Sequence, residues 1–280
     1  MIGAGLGAGL GLKLAHFDEA SRDRRNGLWF EVHPENYMVD GGPRLAGLER
    51  VRECHPLSLH GVGLSLGGPD PLDKGHLARF RALIDRFEPC LVSEHLAWSR
   101  FGGASVPDLL PVLRSREALA RIAGRIDAAQ TALGRTLLIE NPAHYLNLRG
   151  HEYDEADFLR ELVRRTGCGL LVDLNNIVVS VRNIGTDAYA YLRAIPPEAV
   201  GEIHIAGHSE DPVMGANLLI DSHDRPVGDA VWSLLTAALN LWGPKPVLIE
   251  RDGDVPAYAA LIAERERAQA GLDSAKVLTA

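Results

Sequence analysis

Residues 136–176 read TLLIENPAHYLNLRGHEYDEADFLRELVRRTGCGLLVDLNN. Two short apolar runs, Thr136–His144 and Gly169–Asn176, flank an amphipathic segment, Asp154–Gly167, whose apolar residues recur at three- and four-residue spacing. Asp154 and Asp157 precede or open that helix and Gly167 closes it. Strand, helix and strand in this order predict a parallel βαβ unit. Both runs are apolar on both faces, as strands covered on both sides are. Each ends in a carboxylate, Glu140 in the first and Asp173 in the second.

The same unit recurs in both directions. Further candidate strands are Gly9–Leu14, Leu28–His33, Pro56–Val62, Cys90–Trp98, Val200–His208 and Pro246–Asp252, making eight in all. Helical spacing appears in His76–Pro89, Arg116–Gly134, Ala188–Ile195, Ala230–Gly243 and Val255–Ala268. The link from the first strand to the second is short, and the stretch after Ala268 reads as a fraying end. Eight alternating units favour a single (β/α)8 TIM barrel over an open sheet, and the 280 residues suit one domain of about 250 residues. The barrel core is expected over about residues 5–263, with no linker and no second domain.

The polar residues at the strand ends are Lys13, Glu31, His60, His95, Glu140, Asp173, His204 and Glu250. In a barrel these ends converge on one face, where catalytic side chains gather. Seven acidic or imidazole groups around one mouth would repel or be buried unpaired, at a large cost in free energy. A bound cation removes that conflict. A lone His or Glu at a strand end is ordinarily structural; recurrence across the strands is what points to a metal. Asp221 and His223, two apart in LLIDSHDRP, point the same way if extended, and Asp173 and Asn175 share that spacing. His144, His208 and Asp252 lie just past strand ends and are candidates to orient ligands. His16, His33, His55, His76 and His151 default to surface or packing roles, although His33 falls near the mouth. The ligand set offers only nitrogen and oxygen, which disfavours structural zinc or an iron–sulfur cluster and suits Fe, Mn or catalytic Zn. It is also too large for one ion, and a central Glu such as Glu140 can bridge two.

Composition narrows the partners. The net charge of −8 argues against a nucleic-acid phosphate backbone as the main partner. Cys54, Cys90 and Cys168 are few and far apart, as reduced thiols of a cytoplasmic protein are. No stretch approaches the roughly 20 apolar residues of a membrane span, and the Gly-rich start lacks a signal peptide's basic region. The start contains GAGLGA (residues 3–8), which neither follows a strand nor opens a helix, so it reads as a lead-in to the first strand and not as a dinucleotide fingerprint.

The runs LSLHGVGLS, VSEHLAWS, LLIENPAHY, LLVDLNNI, EIHIAGH, DSHDRPV and VLIERD together resemble the multinuclear non-haem iron enzymes typified by MbnB, with TglH and ChrH as relatives. The match runs from about Gly5 to Ala263, and the family is similar in fold to xylose isomerase-like TIM barrels. The resemblance implies two or three irons, Fe2+ and Fe3+, with O2 as co-substrate. It implies that His60, His95 and Glu140 hold one iron and that Glu140 bridges to a second held with Asp173, His204 and Glu250. Asn175, Asp221 and His223 are then ligands of a further, labile iron. The implied substrate is a Cys-containing, ribosomally made precursor peptide, often delivered by a small partner protein that captures its leader. Three other readings compete: a two-metal sugar isomerase or aldolase-like barrel, a zinc endonuclease acting on abasic DNA, and a metal-binding protein without turnover. Lys13 is the only strand-end lysine available to an isomerase, and the negative charge counts against the endonuclease.

Overall fold

A computed structural model describes residues 5–279. Eight parallel strands close into a barrel in chain order: Ala8–Gly11, Phe30–Val32, Leu57–Gly61, Leu91–His95, Leu138–Glu140, Gly169–Asp173, Val200–Ile205 and Val247–Ile249. The eighth pairs with the first through Ala8↔Val247, Gly9↔Leu248 and Leu10↔Ile249. They are numbered one to eight below.

Alternation along each strand separates two cores. Outward side chains such as Phe30, Leu59, Val92, Ile139, Val172 and Ile203 pack against the surrounding helices. Inside the barrel, Trp29, Leu91, Leu138, Leu171 and Leu248 form a separate small cluster. Each lies two residues before an inward polar residue: Glu31, Ser93, Glu140, Asp173 or Glu250. An apolar floor therefore underlies a polar layer at the C-terminal ends of the strands. Strand one contributes Gly9 to this floor because a Cβ there would lie 2.5 Å from the Trp29 ring. The indole fills the space and donates to the Gly7 carbonyl at 2.9 Å.

The helices follow the sequence punctuation. Helix Arg116–Leu133 is capped by the Ser115 hydroxyl, which accepts from Ala118 N at 3.1 Å. Helix Glu155–Thr166 ends at Gly167 in the left-handed region (φ 66°), a conformation glycine adopts without strain. Helices Lys74–Phe87, Ala188–Ala194 and Asp229–Trp242 fall within three residues of expectation. No helix among the described residues is long and apolar enough to cross a membrane.

Several boundaries differ from the sequence reading. The run Cys90–Trp98 is not one strand: the barrel strand stops at His95, and Trp98–Phe101 pairs with Ala104–Leu110 as an antiparallel ribbon. A second ribbon, Ser209–Asp211 with Gly215–Ile220, follows strand seven. Helices Phe17–Arg22, Pro43–Arg52 and Leu174–Ile184 were not expected. The stretch after Ala268 does not fray; the last helix runs from Tyr258 to Thr279, because Ala268, Leu272 and Ala275 continue its buried stripe. Of GAGLGA, residues 3 and 4 lie outside the described residues, and the rest leads into strand one.

Candidate metal centre

Strands three, four and five bring His60, His95 and Glu140 together. Glu140 Oε2 lies 3.1 Å from His60 Nε2 and 3.0 Å from His95 Nε2. The other ring nitrogens are held from behind: His60 Nδ1 by Ser93 Oγ at 2.8 Å and His95 Nδ1 by the Gly61 carbonyl at 3.0 Å. Both imidazoles are thus fixed with Nε2 toward the centre of the mouth, as outer partners of metal-bound histidines fix them.

Strands six, seven and eight supply Asp173, His204 and Glu250. His204 is fully buried, with Nδ1 3.2 Å from Glu250 Oε2. Its Nε2 faces Glu31 Oε1 at 3.2 Å and Glu202 Oε1 at 3.3 Å. Asp173 Oδ1 accepts from Asn176 N at 2.6 Å and so caps helix Leu174–Ile184. Asn141 clamps the Asp173 backbone, donating to its carbonyl at 3.0 Å and accepting from its N–H at 2.8 Å.

The loop after the second ribbon carries Asp221 and His223 to the same side. His223 Nε2 lies 2.7 Å from Asp221 Oδ1, and its Nδ1 faces Asp252 at 3.1 Å and Glu250 at 3.5 Å. Asn175 Nδ2 donates to Asp221 Oδ1 at 2.7 Å, while Asn175 Oδ1 meets His208 Nδ1 at 2.8 Å. Asp221 N donates to the Tyr145 hydroxyl at 3.0 Å. Lys13 pairs with Asp252 at the rim.

Burial opposes every charge at this centre, and the neighbouring partners decide which groups keep theirs. Glu140 overrides desolvation to push His95 up to about 10, and Glu250 with Glu31 holds His204 well above the usual imidazole range. His223 is raised likewise against burial by Asp221 and Glu250. Glu140 and Glu250 are held well below the carboxylate range, burial notwithstanding, by His95 and His204 respectively. Asp173 goes the other way, raised by burial and by Asp221, Glu140 and Glu250. Burial and Glu31 push Glu202 up to about 8. Imidazolium protons therefore balance the carboxylates, and a divalent cation competes with protons for such ligands.

The unsatisfied atoms test whether a cation fits. Glu140 Oε2, Asp173 Oδ2, His204 Nδ1 and His223 Nε2 are buried and make no hydrogen bond of good geometry, although Glu140, His204 and His223 face ionic partners at 2.7–3.2 Å, a costly state for a polar atom unless something else meets it. Donor atoms of His60, Glu140 and His204 lie within 4.8 Å of one another, as do those of Asp173, His223 and Glu250. Two more triplets, Glu31–His204–Glu250 and His33–Glu250–Asp252, share Glu250. The N and O donor set fits hard or borderline divalent ions.

Residues 7–273 match the family described as RiPP precursor modification enzyme MbnB/TglH/ChrH. The chain belongs to this family. It is 57% identical over 267 residues to a UPF0276 protein of Caulobacter vibrioides, covering 95% of each chain. Among solved structures it is similar, at 13% identity, to the IolI protein with a zinc atom (TM-score 0.59, 97% of each chain). It is also similar, at 18% identity, to a xylose isomerase-like TIM barrel protein from Mycobacterium smegmatis in complex with magnesium (TM-score 0.54, 92% of this chain and 88% of that one). These likenesses show the fold, a xylose isomerase-like TIM barrel.

Within this family member, all nine residues expected as ligands from the sequence (His60, His95, Glu140, Asp173, Asn175, His204, Asp221, His223 and Glu250) fall in one contiguous side-chain cluster. Two of the reasons given for them fail. Asn175 is not on an extended strand but in the first turn of a helix. His223 has φ 50°, so Asp221 and His223 converge through a turn and not through extended alternation. His144 is not an outer partner of the site: its ring pairs with Glu155 and approaches Arg114. His208 and Asp252 do touch the chamber, through Asn175 and His223. His55 and His16 bind backbone carbonyls, in packing roles. Glu202, Ser58, Ser93, Asn141 and Tyr145 escaped the sequence reading. Period-two alternation was a usable signal for three of them, since Glu202, Ser58 and Ser93 each precede a site histidine by two residues.

Proposed function

We propose that this chain is a multinuclear, iron-dependent, O2-using enzyme that oxidatively modifies cysteine residues of a ribosomally synthesised precursor peptide. The observation that carries the reading is the set of four orphaned donor atoms, Glu140 Oε2, Asp173 Oδ2, His204 Nδ1 and His223 Nε2, at the barrel mouth of a member of a precursor-modifying family. In this reading His60, His95 and Glu140 would hold one iron, and Asp173, His204 and Glu250, with Glu140 shared between the two sets, would hold a second. Asn175, Asp221 and His223 would hold a third, more exchangeable ion; Asp221, at 19% of its side chain, is the most exposed of the nine. Bound iron supplies redox capacity toward O2 and positive charge for a cysteine thiolate.

The chain's own residues set the geometry and exclude water. Ser93 and Gly61 fix the imidazoles of His60 and His95, and the apolar floor closes the barrel from below. Substrate reaches the centre from the C-terminal face, where the ribbons expose Phe101, Val106, Val213 and Met214. A small leader-binding partner belongs to this reading as the means of delivery.

The test is co-expression with a candidate Cys-containing precursor and partner. Mass spectrometry is expected to find a mass change localised to a cysteine. An unmodified precursor recovered alongside iron-loaded enzyme and partner would refute the proposal.

A further inference from the structure

The histidines of the centre are anchored in two opposite ways. His60 and His95 are gripped at Nδ1, by a hydroxyl and a carbonyl, and present Nε2. His204 is gripped at Nε2, by two carboxyl groups from below, and its Nδ1 is left buried without a hydrogen-bond partner. The two carboxyl groups belong to Glu31 and Glu202, 3% and 0% exposed, and Glu202 is in register with Leu171 of the apolar floor. Glu31 is itself held, accepting from the Ser58 hydroxyl at 2.7 Å. Burying carboxyl groups beside leucines and an indole is unfavourable unless their partners are fixed. Here the shared partner is one imidazole N–H.

We propose that Glu202, assisted by Glu31, is a positioning residue that keeps the proton of His204 on Nε2 and turns Nδ1 to the metal. The inference rests on the metal-centre reading above and adds to it a residue and a ring nitrogen. A neutral imidazole has one N–H and one lone pair, so accepting at Nε2 fixes the lone pair at Nδ1. Nδ1 is the atom 3.2 Å from Glu250 Oε2, so the lone pair and that carboxylate face the same ion. Outer partners of this kind fix the ring and tautomer of a metal-bound imidazole, and their loss typically costs 10- to 100-fold in metal affinity. Glu202 reaches this position because it lies two residues before His204 on strand seven, on the same inward face.

Zinc, which is diamagnetic, permits a test without turnover. In zinc-loaded protein with 15N-labelled histidine, long-range proton–nitrogen spectra distinguish metal-bound from protonated ring nitrogens. One ring is expected to show zinc on Nδ1 and a proton on Nε2, and that ring should be missing in His204→Gln. Glu202→Leu should weaken zinc binding on the order of 10-fold or more. Glu202→Gln should restore it, because the amide oxygen still accepts from Nε2–H; a merely space-filling role would not separate Leu from Gln in this way. Zinc on Nε2 of His204, or Glu202→Leu binding zinc as tightly as wild type, would overturn the inference while leaving the metal centre standing. Wild-type protein that binds neither zinc nor ferrous iron would refute the metal centre itself, and this inference with it.

Discussion

Replacing Glu140 by alanine is expected to strip the chain of most of its bound metal and to abolish modification of the peptide. Glu140 Oε2 lies in contact range of both His60 Nε2 and His95 Nε2, at 3.1 and 3.0 Å. It also shares a donor triplet with His204, so it joins the strand three–five side of the chamber to the strand seven side. Losing an outer partner of a ligand costs about 10- to 100-fold in metal affinity, and losing Glu140 would remove a ligand itself. The barrel itself should survive. Leu138, two residues below on the same strand, stays in the apolar floor, and Ile139 stays in the outer core. Metal analysis, circular dichroism and peptide mass spectrometry on one preparation read all three effects. A folded Glu140→Ala protein that keeps its metal and its activity contradicts the ligand assignment.

The second large effect is on stability. Six buried carboxyl groups, those of Glu31, Glu94, Glu140, Asp173, Glu202 and Glu250, lie on barrel strands or immediately after them. All but Glu94 face inward, and the exposed rim adds Asp252. A ligand that binds only the folded chain stabilises it by about 4 kcal/mol when present at a thousand times its dissociation constant. With about 2–4 °C per kcal/mol for chains of this size class, chelation should lower the melting midpoint by roughly 10 °C. Re-adding ferrous iron under anaerobic conditions should restore it. A midpoint indifferent to chelator, in protein shown to have lost its metal, would mean that the cluster does not depend on a cation for its balance.

How much of this was legible in the sequence depends on which physical signal each residue carries. Glu140 and Asp173 were readable because a barrel aligns its strand ends, so a carboxylate ending an apolar run has one place to go. The helix Leu174–Ile184 was not readable. Its Ile177, Val178, Val179 and Val181 are β-branched and favour strands as an isolated pattern. What decides it is tertiary: Asp173 turns from the strand to cap Asn176 N, and Ile177 and Val179 are buried. Asn175 thus belongs to the site for a reason different from the one its spacing suggested. The ribbon Ala104–Leu110 left no periodic signal because both its faces are largely exposed and Pro107 interrupts it. The sequence reads as ending the last helix at Ala268 because the helix's outer face is charged, while the small residues Ala268 and Ala275 carry part of the buried stripe. Glu202 was within reach, since alternation along strand seven places it beneath His204.

The central claim is that the chamber is an iron centre, and metal content tests it most directly. Protein purified under anaerobic conditions is predicted to carry two or three irons per chain, with the visible or electron paramagnetic signals of a mixed-valence cluster. Zinc alone, or magnesium or manganese alone, in protein that retains its native fold would contradict it.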